Sequence, residues 1–371
     1  MEFSIKRDVL LKSLGFIQGI VEKKNTLPIL SNVLIQIKAN QLILMATDLE
    51  IFFCDEITDV NIKSEGSTTT AASILHDILR KIASGEEILF KLQETNKLSM
   101  KTASSNFSLN CIPHENFPSF PEDEDNQITD INHKEFLKLL NKTKISISSD
   151  DTRHYLNGIF LHLTESANKK YLTGVATDSH RLSFSSIELK DNKVFPSVIL
   201  PKKTVFQLCS ILPESKGKFN LSISETKIQF NIDKTKLISK VIDGKFPDYS
   251  KVIPKENKKN LMVDRKEFID SIERVISVSL DRKEGVKLNI EKEKLKLFVN
   301  SANSGEGTEN IKANFSDNSL NISFNSKYLV DIASEIEDKN ISISFKDSGS
   351  PALIEDNSDK NSYYVIMPMK I

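Results

Sequence analysis

Three stretches decide the fold: Phe3-Ser-Ile-Lys-Arg-Asp-Val-Leu-Leu-Lys-Ser-Leu14, Thr129-Asp-Ile-Asn-His-Lys-Glu-Phe-Leu-Lys-Leu-Leu140 and Leu261-Met-Val-Asp-Arg-Lys-Glu-Phe-Ile-Asp-Ser-Ile272. Each carries a basic pair or His-Lys a few residues in, followed by apolar residues at helical spacing. Their starts lie 126 and 132 residues apart. A second series keeps the same rhythm: Ser73 to Ile82, Lys203 to Leu212 and Ser326 to Ile336, with starts 130 and 123 residues apart. Phe117-Pro118, Phe246-Pro247 and Met367-Pro368 then close three units in turn. Three ordered series make chance a poor explanation and an internal repeat a good one.

Between these helices the period changes from 3.6 to 2. Phe219 to Ile223, Leu320 to Phe324 and Ile341 to Phe345 alternate apolar and polar, as strands with one buried face do. Hairpins are expected where Ile223 and Ile228 flank Ser-Glu-Thr-Lys, where Ile290 and Leu295 flank a Glu/Lys turn, and after Phe160-Leu-His-Leu163. The reading is α+β: three repeated domains, each of two short helices and antiparallel strands, over 1–121, 127–253 and 260–371. The acidic run Pro121 to Asn126 and the polar run Pro254 to Asn260 read as linkers.

The chain has 371 residues, 39% of them apolar, ample for several cores. No stretch approaches the roughly 18 apolar residues of a membrane span, and the start lacks a signal peptide's pattern, so a cytoplasmic protein is expected. Cys54, Cys111 and Cys209 are too few and too scattered for a disulfide framework or a zinc site, and no metal or cofactor is expected. Phosphate-cradling glycine motifs are missing, and Gly305-Glu-Gly307 reads as a polar hairpin loop. Thr177-Asp-Ser-His-Arg181 contains Asp, Ser and His, but adjacent side chains diverge and a triad is assembled in space, so catalysis there has little support.

Binding is the better-supported class. Fifty Lys and Arg oppose 51 Asp and Glu, so any anionic partner must meet a local patch. The helical segments 5–16, 73–84, 133–144 and 202–212 carry a net charge of plus eight, a basic surface suited to phosphate. Segments 264–276 and 326–337 are acidic, so the basic surface does not extend to the third repeat.

Thr26-Leu-Pro-Ile-Leu30, Ala46-Thr-Asp-Leu-Glu50, Tyr155-Leu-Asn-Gly158, Val175-Ala-Thr-Asp-Ser-His-Arg-Leu182, Asp243-Gly-Lys-Phe-Pro-Asp-Tyr249 and Tyr364-Val-Ile-Met-Pro-Met-Lys-Ile371 carry a resemblance to one family. The chain resembles the bacterial DNA polymerase III beta subunit, the sliding clamp, along essentially its whole length. The resemblance implies a homodimeric ring of six domains, with helices lining a hole threaded by double-stranded DNA. It implies no bond-making chemistry. A separate clamp loader opens the ring, and the polymerase alpha subunit, other polymerases and repair proteins dock on it through short apolar peptides.

By the same resemblance the peptide pocket is formed by Leu156, Thr177, Ser179, His180, Arg181, Leu182, Pro247, Lys251, Val252, Val365, Met367, Pro368 and Met369. Val365 reads equally well as core, whereas Met367 and Met369 form an adaptable apolar surface. Lys251 and Pro351 depart from the family pattern, which bears on peptide preference. DNA contacts fall on Lys24, Arg80, Arg153, His154 and Tyr155; Tyr155 could equally be a core aromatic. Ser73, Asp150 and His154 depart from the family pattern toward weaker direct contact. The dimer interface joins Phe107 and Leu109, expected to be exposed on an edge strand, to Ser277 and Val278. The competing reading is a repeat-built scaffold or ligand-binding protein that never encircles DNA.

Overall fold

The computed structural model describes residues 1–22, 26–119, 128–190, 194–279 and 285–370. The three opening stretches prove to be strand-to-helix junctions. Strand Glu2–Lys6 runs into α1 (Arg7–Ile17), and strand Gly66–Ala71 runs into α2 (Ala72–Lys81). Strand Ile128–Asp130 precedes α3 (His133–Lys144), and Val198–Pro201 runs into α4 (Lys202–Ile211). Strand Lys259–Asp264 runs into α5 (Arg265–Ile276), and Leu320–Asn325 into α6 (Ser326–Ser334). The change of period is abrupt because caps stop the strand pattern: the Asp264 carboxylate accepts from Glu267 N at 2.9 Å, and the Asn325 side chain from Tyr328 N at 3.3 Å.

The chain divides into two compact units, Met1–Leu137 with Lys193–Val241, and Lys138–Asn192 with Ile242–Ile371. The division falls inside the second repeat because ladders bridge the repeat boundaries. In the first unit, Thr235–Lys240 pairs antiparallel with Ile51–Ile57, in register Leu237 to Phe53. In the second, Asp359–Ile366 pairs antiparallel with Arg181–Glu188, in register Val365 to Leu182. A continuous ladder joins repeats more firmly than a linker does.

Each unit has its own core. Phe3 stacks on Phe90 at 4.9 Å in the first, where Leu10, Leu14, Leu75 and Leu79 of α1 and α2 are fully buried. Phe268, Ile272, Phe324, Leu329, Phe345 and Tyr364 form the centre of the second. The expected hairpins form, pairing Ile223 with Ile228, Ile290 with Leu295 and Phe160 with Val175.

Gly305-Glu-Gly307 corrects one expectation, since it begins strand Gly305–Lys312 rather than forming a loop. A Cβ on Gly307 would lie 2.8 Å from Val275 O, so glycine there serves close helix-to-strand approach. Leu109 corrects another: it is buried within its own unit at 9% exposure, opposite Leu98, and Phe107 is half-buried. Their strand, Asn106–Ile112, is an edge only in part. Residues 106–110 pair with Lys97–Lys101, while Cys111 and Ile112 continue the sheet to Thr70 and Thr69.

Candidate peptide pocket and nucleic-acid surface

The basic helix surface is smaller than its sequence suggests, because the fold uses several of the cations internally. Lys142 is 1% exposed and its ammonium lies 3.2 Å from Asp356 and 2.9 Å from Asp359. Lys138 bridges Asp359 at 3.1 Å and Glu337 at 3.0 Å. In the first unit Lys203 bonds Ile20 O and the Asp48 carboxylate, Lys12 pairs with Glu214, and Arg7 donates to Leu79 O and Arg80 O. Arg80 itself stays exposed, 4.0 Å from Asp77, and Lys134 is exposed.

The turn expected to meet DNA is a short 3-10 segment, Asp151–Leu156. Asp150 caps it, accepting from Thr152 N and Thr152 Oγ1, and also binds Arg153 Nε at 2.9 Å. These donors hold the Asp150 carboxyl below its usual range, with the Thr152 hydroxyl the largest influence. Arg153 also donates to Ser179 Oγ at 2.6 Å, so its guanidinium is paired with Asp150 and Ser179 together. His154 bonds Asp243 O through Nε2 at 3.1 Å, and Tyr155 is half-buried, meeting His154 edge-on. Gly244, at φ +154°, passes so close to Tyr155 that a Cβ would sit 3.0 Å from it. Lys24 lies outside the described residues.

Thr177 to Arg181 forms a self-bonded turn between strands Lys169–Thr177 and Arg181–Glu188. Thr177 Oγ1 donates to Arg181 O and accepts from Ser179 N, while the Asp178 carboxylate accepts from His180 N and Arg181 N. The three bonds from backbone N–H groups recur in the first unit at Thr47-Asp-Leu-Glu-Ile51, and Ser179 and Leu49 share φ +76°. The Thr-Asp pair is therefore a repeated turn device, and Asp178, Ser179 and His180 make no hydrogen bonds of a catalytic relay among the described residues.

Around this turn the expected pocket residues fall into two groups. Leu156, Leu182 and Val365 are each 2% exposed and finish the core beneath. Val252, Met367 and Met369 stand 48%, 42% and 40% exposed above it. The terminal segment is pinned at both ends, Met367 N donating to His180 O at 2.8 Å and Met369 N to Ser323 O at 2.7 Å. Arg181 is a buried strut: it donates to Asp178 at 3.1 Å and Asp331 at 2.8 Å, and its guanidinium lies 4.2 Å from the Tyr328 ring. Pro247 precedes the one-turn 3-10 helix Tyr249–Lys251, whose last residue, Lys251, pairs with Asp248 at 3.3 Å. The sequence gives no signal for His162, whose Nε2 bonds the Tyr249 hydroxyl at 3.0 Å. Ser277 is exposed at the end of α5, while Val278 packs partly against the core.

At the equivalent turn in the first unit the described residues are mixed, with Leu49 37% exposed beside a charged pair. Glu50 and Lys240, which occupy the places of His180 and Met367 in the ladder, pair at 3.0 Å, and Lys240 N donates to Glu50 O. Exposed apolar side chains beside a buried floor are the features a docked apolar peptide needs.

Repeated α+β units joined by ladders are the architecture of a clamp-type subunit. Three family models match in turn: the DNA polymerase III beta subunit N-terminal domain over 1–121, the central domain over 130–248 and the C-terminal domain over 250–370. A beta sliding clamp from Caulobacter vibrioides is 33% identical over 373 residues, covering all of both chains. A DnaN sliding clamp (DNA polymerase III subunit beta) from Bartonella birtlesii, bound to griselimycin, has 37% identity and a TM-score of 0.94 over the whole of both chains. A DNA polymerase sliding clamp from Caulobacter crescentus has 33% identity and a TM-score of 0.91. The chain belongs to the DNA polymerase III beta subunit family, the beta sliding clamps. It is a non-catalytic processivity subunit. No described helix is long and apolar enough to cross a membrane.

Proposed function

We propose that two copies of this chain, each with repeats over 1–121, 127–253 and 260–371, close head to tail into a cytoplasmic ring around duplex DNA. The observation that carries this reading is an unfinished ladder. Each internal junction pairs the last strand of one repeat with a hairpin strand of its neighbour, Thr235–Lys240 with Ile51–Ile57 and Asp359–Ile366 with Arg181–Glu188. The third such hairpin strand, Gly305–Lys312, ends its sheet, and the third such last strand, Asn106–Ile112, is half unpaired. A second copy completes both edges, and a heterologous contact that closes leaves neither exposed.

Phe107 and Leu109 then meet Ser277 and Val278 through the backbone of that ladder more than through exposed apolar side chains. Counted from the strand-to-helix junction, Ile74 of α2 corresponds to Tyr328 of α6, which packs under Arg181. Ile74 is 53% exposed and joins the interface on this equivalence. Ile74→Arg leaves the fold unchanged and raises the dimer dissociation constant about tenfold or more, measured by sedimentation. An unchanged constant removes Ile74 from the interface.

Arg80, Arg153, His154, Tyr155 and Lys24 contribute sequence-independent contacts to the backbone of DNA, with Arg153 weakened by Asp150. Such contacts have nearly the same energy at every base step, so the ring slides and topology holds it. Pro247, Lys251, Val252, His180, Met367, Pro368 and Met369 receive apolar peptides of the polymerase alpha subunit, the clamp loader, other polymerases and repair proteins over Leu156, Thr177, Ser179, Arg181, Leu182 and Val365. Tethering raises the polymerase's effective concentration at the primer end. Griselimycin is expected to occupy the same pocket, measured by calorimetric titration.

The decisive test is retention on nicked circular DNA after loading by the cognate loader and ATP. Protein that stays on circles and leaves once each circle is cut is held by topology. Equal loss from both forms overturns the ring.

A further inference from the structure

We propose that His162 is a positioning residue for the peptide pocket, holding its Pro247 to Val252 wall through the Tyr249 hydroxyl. This rests on the pocket assignment above. The wall has little grip of its own. The Tyr249–Lys251 turn buries no residue, and its remaining bonds are local: Asp248 accepts from Ser250 N and Ser250 Oγ and pairs with Lys251. Val252 N donates to Tyr249 O at 3.1 Å, so the exposed Val252 side chain is carried wherever Tyr249 is held.

Tyr249 is held by an aromatic row on the sheet beneath. Phe246 stacks on Phe160 at 4.9 Å with the planes 5° apart, and Phe160 stacks on His162 at 4.4 Å. His162 meets Tyr249 edge-on at 5.6 Å and bonds its hydroxyl at 3.0 Å; Tyr249 also approaches Phe184, which stacks on Tyr363. Packing alone would favour a hydrocarbon at position 162, because an imidazole among aromatic rings gives up its hydration. Burial drives the His162 pKa down to about 4 and the Tyr249 phenol upward, so a neutral ring and an intact hydroxyl share one hydrogen bond. The bond spans 87 residues and ties the wall to strand Gly158–Ser166. A rim residue aligned in this way loses less freedom when a peptide docks.

The test is titration of the full-length protein with griselimycin, with dissociation rates from surface plasmon resonance. His162→Leu and the near-isosteric Tyr249→Phe each weaken binding about tenfold, mainly through faster dissociation, and the double variant is no weaker than either. His162→Gln, which can still bond the hydroxyl, stays within about threefold of the unaltered protein. If the unaltered protein binds and Tyr249→Phe binds equally well, the positioning role is wrong. If both weaken binding but their effects add in full, the bond is not the coupling. If the unaltered protein does not bind at all, the pocket assignment fails first.

Discussion

Lys142→Met is expected to lower the unfolding free energy by about 3 to 5 kcal/mol, because it leaves the buried Asp356 carboxylate without a cation and Asp359 with Lys138 alone. Lys142 and Asp356 meet across 214 residues of sequence, and Asp356 is 2% exposed. Asp356 retains its charge through donors: burial opposes it, yet Glu337 N, Ser358 and Lys142 together take its pKa from 3.8 to about 2. A carboxyl whose folded pKa lies below its unfolded value stabilises the fold above the unfolded pKa. That contribution, roughly 2 kcal/mol, is complete above pH 3.8 and is lost as the pH falls through about 2. In Lys142→Met the Asp356 carboxylate, left without a cation, protonates more readily, so the deficit shrinks as the pH falls from 7 toward 4. Urea unfolding at fixed protein concentration across that range measures both effects. Changing Asp356 and Asp359 to Asn beside Lys142→Met recovers much of the loss; a deficit independent of pH would mean packing, and not charge, is responsible.

Met367→Asp is expected to weaken griselimycin binding by at least a hundredfold while leaving thermal unfolding within about a degree. Met367 is 42% exposed, so the free protein solvates the new carboxylate. A docked apolar ligand buries that charge without a partner, at a cost of several kcal/mol. The ladder is untouched, because Met367 contributes its backbone N–H to His180 O and the side chain is not part of that bond. Calorimetric titration with a thermal melt on the same sample checks the pair of outcomes. Equal affinity would move the pocket away from the terminal segment.

Much of the site was legible in the sequence because its signals are local. The Thr-Asp turn at 177–178 bonds within five residues, and its copy at 47–48 bonds the same way. The Met367 to Met369 rim follows from apolar residues at the end of a polar segment. The partners of Arg153 were legible only in part: Asp150 lies three residues away, but Ser179 lies 26 residues away. His162 carried no signal at all, because an alternating strand of Phe160, His162 and Thr164 reads the same whether or not a tyrosine lies above it.

The sequence by itself determined that the chain is a non-enzymatic repeat protein of six helices and antiparallel hairpins, and its motifs identified the family. Periodicity and capping act over a few residues, so they survive in one dimension. Only the tertiary structure decided which cations face solvent and which are buried with carboxylates, which pocket residues are floor and which are rim, and which strand edges remain open. Those outcomes depend on pairings between residues a hundred or more positions apart, and burial then changes the energy of every charge and hydrogen bond involved.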